Sequence, residues 1–313
     1  MSGFDTRAAA ALADPLLKTA VERTAGTAEA KRTLAVSAFP DFDAARTRAA
    51  AIKDHVIAHL GHYLEQFEAN AIAAGAQVHW AATADEACRI VIDLCKASGA
   101  KTVARSKSML GEEIGLPHAL AEAGIGRIET DLAEHIIQLA DERPSHIIWP
   151  AMHKTREQVS ALFKVKHRTP HEEDSIAAMA ESARRELRDR MLGADVGISG
   201  ANFLIADSGA VCTVTNEGNA ELSLVPPRVH IVTAASKRSC RPCPMPCICC
   251  ACWRAPPPAR LSPNIRPSIP ARNVPTTATG QKKCTLCWST MAARKCARRG
   301  WRICCAASAV ARA

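Results

Sequence analysis

The sequence predicts an α/β fold: a mixed, centrally parallel sheet with flanking helices. Three observations predict it. Short apolar runs at 78–80, 102–105, 127–129, 145–149 and 196–198 alternate with stretches of helical period. Gly75, Gly99 and Gly124 stand where the intervening helices should stop. The Asp207-Ser208-Gly209 turn between the runs 203–206 and 211–215 reads as a hairpin, which brings an antiparallel pair late into the sheet.

The elements follow in order. Residues 1–40 are an Ala-rich, loosely patterned lead-in. Ile52, Val56, Leu60, Tyr63 and Phe67 repeat at three- and four-residue spacing and predict one amphipathic helix over about 42–74. Thr83 and Glu86 form a T-x-x-E capping box for the next helix. Its buried stripe is Cys88, Val91, Ile92 and Cys95, so these two thiols read as small core residues. Further helices are expected over about 112–123, 132–140, 154–164 and 172–192, with a final strand at 229–232.

Composition divides the chain at residue 234. Of 313 residues, 40 are Lys or Arg, 31 Asp or Glu and 14 Cys. Residues 235–313 hold 15 of the basic residues, 11 of the cysteines and 10 of the 18 prolines, with no Asp, Glu or His. The front is left with 25 basic and 31 acidic residues, a net charge of −6, against +15 for the tail. The front reads as a mildly acidic cytoplasmic domain, 41–234. Neither the helical nor the strand period persists in the tail, so 235–313 is expected to be unfolded. No apolar run approaches 18 residues, which argues against a transmembrane segment. Asp5 and Arg7 beside a mild Ala run do not make a secretory signal.

Open α/β sheets bind ligands outside the carboxyl ends of their strands. Candidates there are Glu129, Asp131, His153, Lys154, Asn216, Glu217 and Asn219. Asp131 reads equally well as a helix N-cap. His153-Lys154 could hold a carboxylate or phosphate, or simply be a solvated helix start. Asn216-Glu217-Gly218-Asn219 follows a strand and could be an ordinary polar turn. Gly197-Ile198-Ser199-Gly200 is Gly-rich without the G-x-G-x-x-G spacing, a weak phosphate-loop signal.

Four strings resemble the lactate-utilisation iron–sulfur protein family, the B subunit of the bacterial lactate-utilisation system. They are S-K-S-M-L-G-E-E-I-G-L at 106–116, I-E-T-D-L-A-E at 128–134, P-S-H-I-I-W-P-A-M-H-K at 144–154, and G-I-S-G-A-N-F-L-I-A-D-S-G-A-V at 197–211 with T-N-E-G-N at 215–219. The resemblance runs from about residue 40 to Ala234. It implies a LUD domain of the sugar-isomerase/CoA-transferase-like type, a small-molecule substrate and other subunits of a lactate-oxidising complex as partners. It also implies [4Fe–4S] clusters on a following C-x-x-C-x-x-C-x-x-x-C-P region. This chain has no in-frame copy of that motif, so no cluster is expected on it as written.

The tail reads as the expected region in a shifted frame. Joining the third base of each codon to the first two of the next, Gln281–Lys295 permits E-E-M-H-F-V-L-V-D-N-G-R-K. Arg302–Ala313 with the stop permits D-M-L-R-C-I-R-C-G-A-C-M, which contains C-x-x-C-x-x-C. Residues 235–238 permit G-I-E-K. Two other readings compete. Cys249 with Cys252 and Cys284 with Cys287 form two C-x-x-C pairs, which would suit a basic zinc module on nucleic acid. The 31-residue gap between them and the other cysteines in the tail argue against it. A stand-alone acyl- or CoA-transfer enzyme with Glu217 as nucleophile rests on fold analogy alone.

Overall fold

The computed structural model describes residues 3–146, 149–214, 218–236, 239–240 and 302–306. The lead-in is helical: Phe4–Ala13 (α1) and Pro15–Ser37 (α2). Asp14 caps α2, its Oδ1 accepting from the Leu16 and Leu17 N–H groups at 2.9 and 3.2 Å. Most of the described side chains here are exposed, so no apolar period marks these helices in the sequence.

The single helix expected over 42–74 is two, Phe42–Ala58 (α3) and Leu60–Ala73 (α4). They divide at His59, which leaves helical geometry (φ −120°, ψ 34°). The His59 ring turns back on the preceding turn, Nδ1 lying 2.9 Å from the His55 carbonyl and the rings 4.5 Å apart. Val56, Tyr63, Phe67 and Ala71 are buried as their spacing requires.

Gln77–Ala81 (β1) leads into Ala84–Ala97 (α5). Thr83 Oγ1 accepts from Glu86 N at 3.2 Å, and Glu86 Oε2 accepts from Ala82 N at 2.8 Å, one residue before the position a standard capping box uses. Cys88, Val91, Leu94 and Cys95 form the buried stripe, with Ile92 only partly covered. Thr102–Arg105 (β2) falls where the sequence predicts. The helix expected over 112–123 is divided at Gly115 into Met109–Glu113 (α6) and Leu116–Glu122 (α7), with Pro117 in the first turn of α7. Gly126–Glu129 (β3) and Leu132–Ala140 (α8) follow.

The described residues of the strand expected at 145–149 pair in no sheet, and its two ends bond to each other. Ser145 N and Oγ both donate to the Pro150 carbonyl at 3.0 Å, and Trp149 N donates to His146 Nδ1 at 3.2 Å. Prolines at 144 and 150 flank the apolar run and deprive it of ladder donors. Ile147 and Ile148 lie outside the described residues. Beyond it come Arg156–Lys166 (α9), Ile176–Leu192 (α10), Val196–Gly200 (β4), Phe203–Ile205 (β5), Ala210–Cys212 (β6), Glu221–Leu224 (α11) and Val229–Ala235 (β7).

Two short strands come from the tail, Ser239–Cys240 (β8) and Arg302–Ala306 (β9). The rest of the tail expected to be unfolded, including Cys249, Cys252, Cys284 and Cys287, lies outside the described residues.

The main sheet has the order β1-β9-β7-β4-β2-β3, and every pairing in it is parallel. The predicted hairpin exists, but it belongs to a second sheet, β6-β5-β8. The main sheet is covered on both faces, as an all-parallel sheet must be. One core joins α5 and α7 to the strands through Val91, Cys95, Leu120, Val103, Val196 and Ile231. Another joins α3 and α4 to the hairpin and β7 through Val56, Phe67, Leu204, Val211 and Val232. Helices α8, α9 and α10 pack around Phe163 and Ile136.

Candidate functional site

The carboxyl ends of β2, β3 and β4 converge on one buried arginine. Arg105 is the last residue of β2 and is 2% exposed. Its Nε donates to both carboxylate oxygens of Glu129, at 2.9 and 3.0 Å, from the end of β3. Its Nη2 lies 2.6 Å from Glu112 Oε1 on α6 and 3.5 Å from Glu134 Oε2 on α8. The Glu112 contact is an ion pair without hydrogen-bond alignment. Arg127 Nε approaches Glu129 Oε1 at 2.8 Å, also off hydrogen-bond alignment. Arg105 Nη1 has no hydrogen-bond partner among the described residues.

The backbone around the cluster fixes it in place. Ser106 N donates to the Ile198 carbonyl at 2.9 Å, and Thr130 N to the Arg105 carbonyl at 3.0 Å. Ser108 caps α6, accepting from Gly111 N at 3.2 Å. This loop lies directly on the end of β4, where a Cβ on Gly200 would sit 2.8 Å from Ser108 Oγ. A side chain at position 200 would make the Ser108 hydroxyl turn away and its Cβ give slightly.

Three carboxylates thus face two guanidinium groups, and Lys107 also attracts the negative charge of Glu134. Burial opposes that charge, so Glu134 is pushed up to about 7, first by desolvation, with Glu129 and Glu112 adding to it against Arg105. Glu129 is also raised, by burial, against the pull of Arg105 and Arg127. The cluster can take up or release a proton near neutral pH. Its arginine is already engaged, so it is not an open anion receptor.

Of the residues the sequence singles out, Glu129 sits at the centre of this cluster. Asp131 is the N-cap of α8, its Oδ1 accepting from Ala133 N and Glu134 N at 3.0 and 3.1 Å, so the capping reading holds. His153 and Lys154 form a separate group on Glu142. His153 Nε2 is 2.7 Å from Glu142 Oε2, His153 Nδ1 is 2.7 Å from Ser145 Oγ, and Lys154 Nζ pairs with Glu142 Oε1. Partial burial works to raise the Glu142 carboxyl, but hydrogen bonds from Lys154 and His153 outweigh it and leave it lowered. Asn219 turns its Oδ1 onto the next N–H, Ala220 N, at 3.0 Å, at the start of α11. Asn216 and Glu217 lie outside the described residues. Arg105, Glu112 and Glu134 were not singled out. A charged residue closing the apolar run T-V-A-R is the signal that could have found Arg105.

A second buried polar group lies under α8, α9 and α10. Ser182 Oγ donates to the Thr169 carbonyl at 2.9 Å, so it accepts from His167 Nδ1 at 2.8 Å. His167 Nε2 must then accept from His135 Nε2 at 3.1 Å. Both rings are neutral in this chain of bonds. Burial, followed by His167 and Arg190, pushes His135 down to about 4.

Cys88, Cys95 and Cys212 are buried on α5 and β6, and burial pushes the Cys95 thiol up to about 12, so it stays protonated. Among the described residues no three His, Cys, Asp or Glu side chains are placed to hold a metal ion.

Residues 64–238 match the LUD domain family. The chain belongs to the LUD-domain family. It is 38% identical over 237 residues to the "Uncharacterized electron transport protein YkgF" of Escherichia coli (strain K12), covering 75% of this chain and 49% of that protein. It is 39% identical over 236 residues to the "Lactate utilization protein B" of Lysinibacillus sphaericus (strain C3-41), covering 75% and 49%. The protein of that name in Bacillus thuringiensis (strain Al Hakam) is 35% identical over 235 residues, covering 75% and 50%. The chain is similar to these proteins over 75% of its own length. It spans about half the length of the curated relatives it matches. No solved structure matches it. Among the described residues, no helix is long and apolar enough to cross a membrane.

Proposed function

We propose that the chain is the LUD-domain part of an electron-transfer subunit in a complex oxidising L-lactate to pyruvate. Its redox half, with [4Fe–4S] ligands, is encoded in a shifted frame beyond about residue 234. The observation that carries this reading is the pair of relatives named for electron transport and for lactate utilisation, each matched over only half its length. The C-x-x-C-x-x-C permitted by the shifted frame at the end of the chain supports it, as does a family match that stops at residue 238.

In this reading the LUD domain supplies no cluster ligand. Glu134, with a pKa near 7, holds a proton at Oε beside the sheet edge. Arg105 and Arg127 position Glu129 there. The proposed partners are the other subunits of the complex, in the cytoplasm.

The test is to sequence the gene across codons 230–240 and past the stop, then express the single-frame product. The expected product binds iron and sulfide, shows visible cluster absorption and passes electrons from lactate to a dye within the assembled complex. One confirmed frame identical to the present chain, or a frame-corrected product without iron, overturns the proposal.

A further inference from the structure

We propose that the position between β1 and β7 is an acceptor slot for a parallel strand, and that its cognate occupant is the shifted-frame segment M-H-F-V-L-V across codons 283–289. Arg302–Ala306 occupies the slot in its place. The identity of the strand rests on the frame reading given above. The existence of the slot does not.

The slot is defined from both sides. Residues 77–81 of β1 pair in register with 302–306, and so do residues 231–235 of β7. Adjacent strands lie about 4.8 Å apart, so β1 and β7 stand about 10 Å apart, with room for one strand between them. Without an occupant, two rows of backbone donors and acceptors would lose their partners inside the sheet. Nor is β7 built as an edge strand. Its sequence V-H-I-V-T-A-A is nearly continuous apolar, and its last six residues are buried, as in a central parallel strand.

The family match locates the occupant. Five of the six strands of the sheet lie within residues 64–238, and β9 alone lies outside. The domain therefore takes its remaining strand from beyond the region that this chain shares with its family. Helix α5 packs on β1 and β9 from one side. The α3–α4 core, which includes Val78 and Val232, covers the other. An occupant covered on both faces needs apolar residues throughout.

The two segments differ in how well they meet that need. R-I-C-C-A brings one β-branched residue and opens on an arginine. M-H-F-V-L-V brings Phe and two Val residues, good strand formers, and D-N-G follows it as a ready turn. The connection from Ala235 exceeds the dozen residues a parallel crossover requires.

Two arms test this, both by urea unfolding of the full chain. Cys304→Pro removes a ladder donor from β9. The urea midpoint should fall by about 1 M, or the cooperative transition should disappear. An unchanged midpoint overturns the slot. In the second arm E-E-M-H-F-V-L-V-D-N-G-R-K replaces Gln281–Lys295. This chimera should unfold at a midpoint about 1 M higher than the native chain, and adding the Cys304→Pro change to it should have no effect. A chimera no more stable than the native chain, or one still sensitive to the proline, overturns the identity of the strand. Sequencing that confirms a single frame would sink the frame reading and leave the first arm standing.

Discussion

Replacing Glu134 by Gln should steepen the loss of stability in acid. Glu134 has a folded-state pKa of about 7 against the usual 4.5. An acid whose pKa is raised by folding binds its proton more tightly in the native state. Stability therefore rises as pH falls through 7 and is fully gained below 4.5. Linkage gives about 2.5 kcal/mol of gain between pH 8 and pH 5. Two buried histidines act in the opposite sense. His135 is held down to about 4 and His230 to about 3, each chiefly by burial. Both stay neutral in the fold at pH 5, while in the unfolded chain they charge below 6.5. Each costs about 2 kcal/mol at pH 5, a figure that depends on the unfolded value and hardly at all on the folded one. The amide of the Glu134→Gln variant cannot take up the offsetting proton. Urea titrations at pH 8 and pH 5 should therefore show Glu134→Gln losing about 2.5 kcal/mol more than the native chain between the two conditions. Parallel pH profiles for the two proteins would refute the buried-carboxylate account.

Arg105→Met should cost about 3–5 kcal/mol in denaturant unfolding, because Glu129 keeps only the Arg127 contact while remaining buried. Gly197→Ala should cost at least about 3 kcal/mol, since its Cβ would fall 1.7 Å from the Ser223 carbonyl oxygen and the backbone of α11 would have to move. Asp131→Ala should cost about 1 kcal/mol and leave the Arg105 cluster intact, a loss read from the thermal midpoint. Cys95 should react with a disulfide reagent about 1000-fold more slowly in the native chain than in urea, from its loss of thiolate alone. Native labelling at the unfolded rate would place this thiol outside the core.

Strong local signals made parts of the fold legible. Residues 102–105 and 132–140 are bounded by glycine, Asp131 and clear periodicity, and the structure has those elements. Thr83 announced α5 in the same way. The lead-in helices escaped because most of their described side chains are exposed, and periodicity reports only on burial. The run at 145–149 misled because Pro144 and Pro150 flank it and Ser145 bonds to the Pro150 carbonyl instead of to a neighbouring strand. Glu129 was found from its place at a strand end. Its partners were not, because Arg105, Glu112 and Glu134 meet only through the parallel pairing of strands distant in sequence. No local pattern records that meeting. The position of β9 is the extreme case, since its neighbours lie on average more than a hundred residues away.

That same strand orders events during synthesis. The sheet can close only after residue 306 has been made, 71 residues after β7 ends at Ala235. At about 5–20 residues per second this is a wait of roughly 4–14 s. Throughout it, β7 presents an apolar edge that any other nascent strand could join. The yield of native chain should therefore depend on translation speed through the proline- and arginine-rich stretch that separates the two strands.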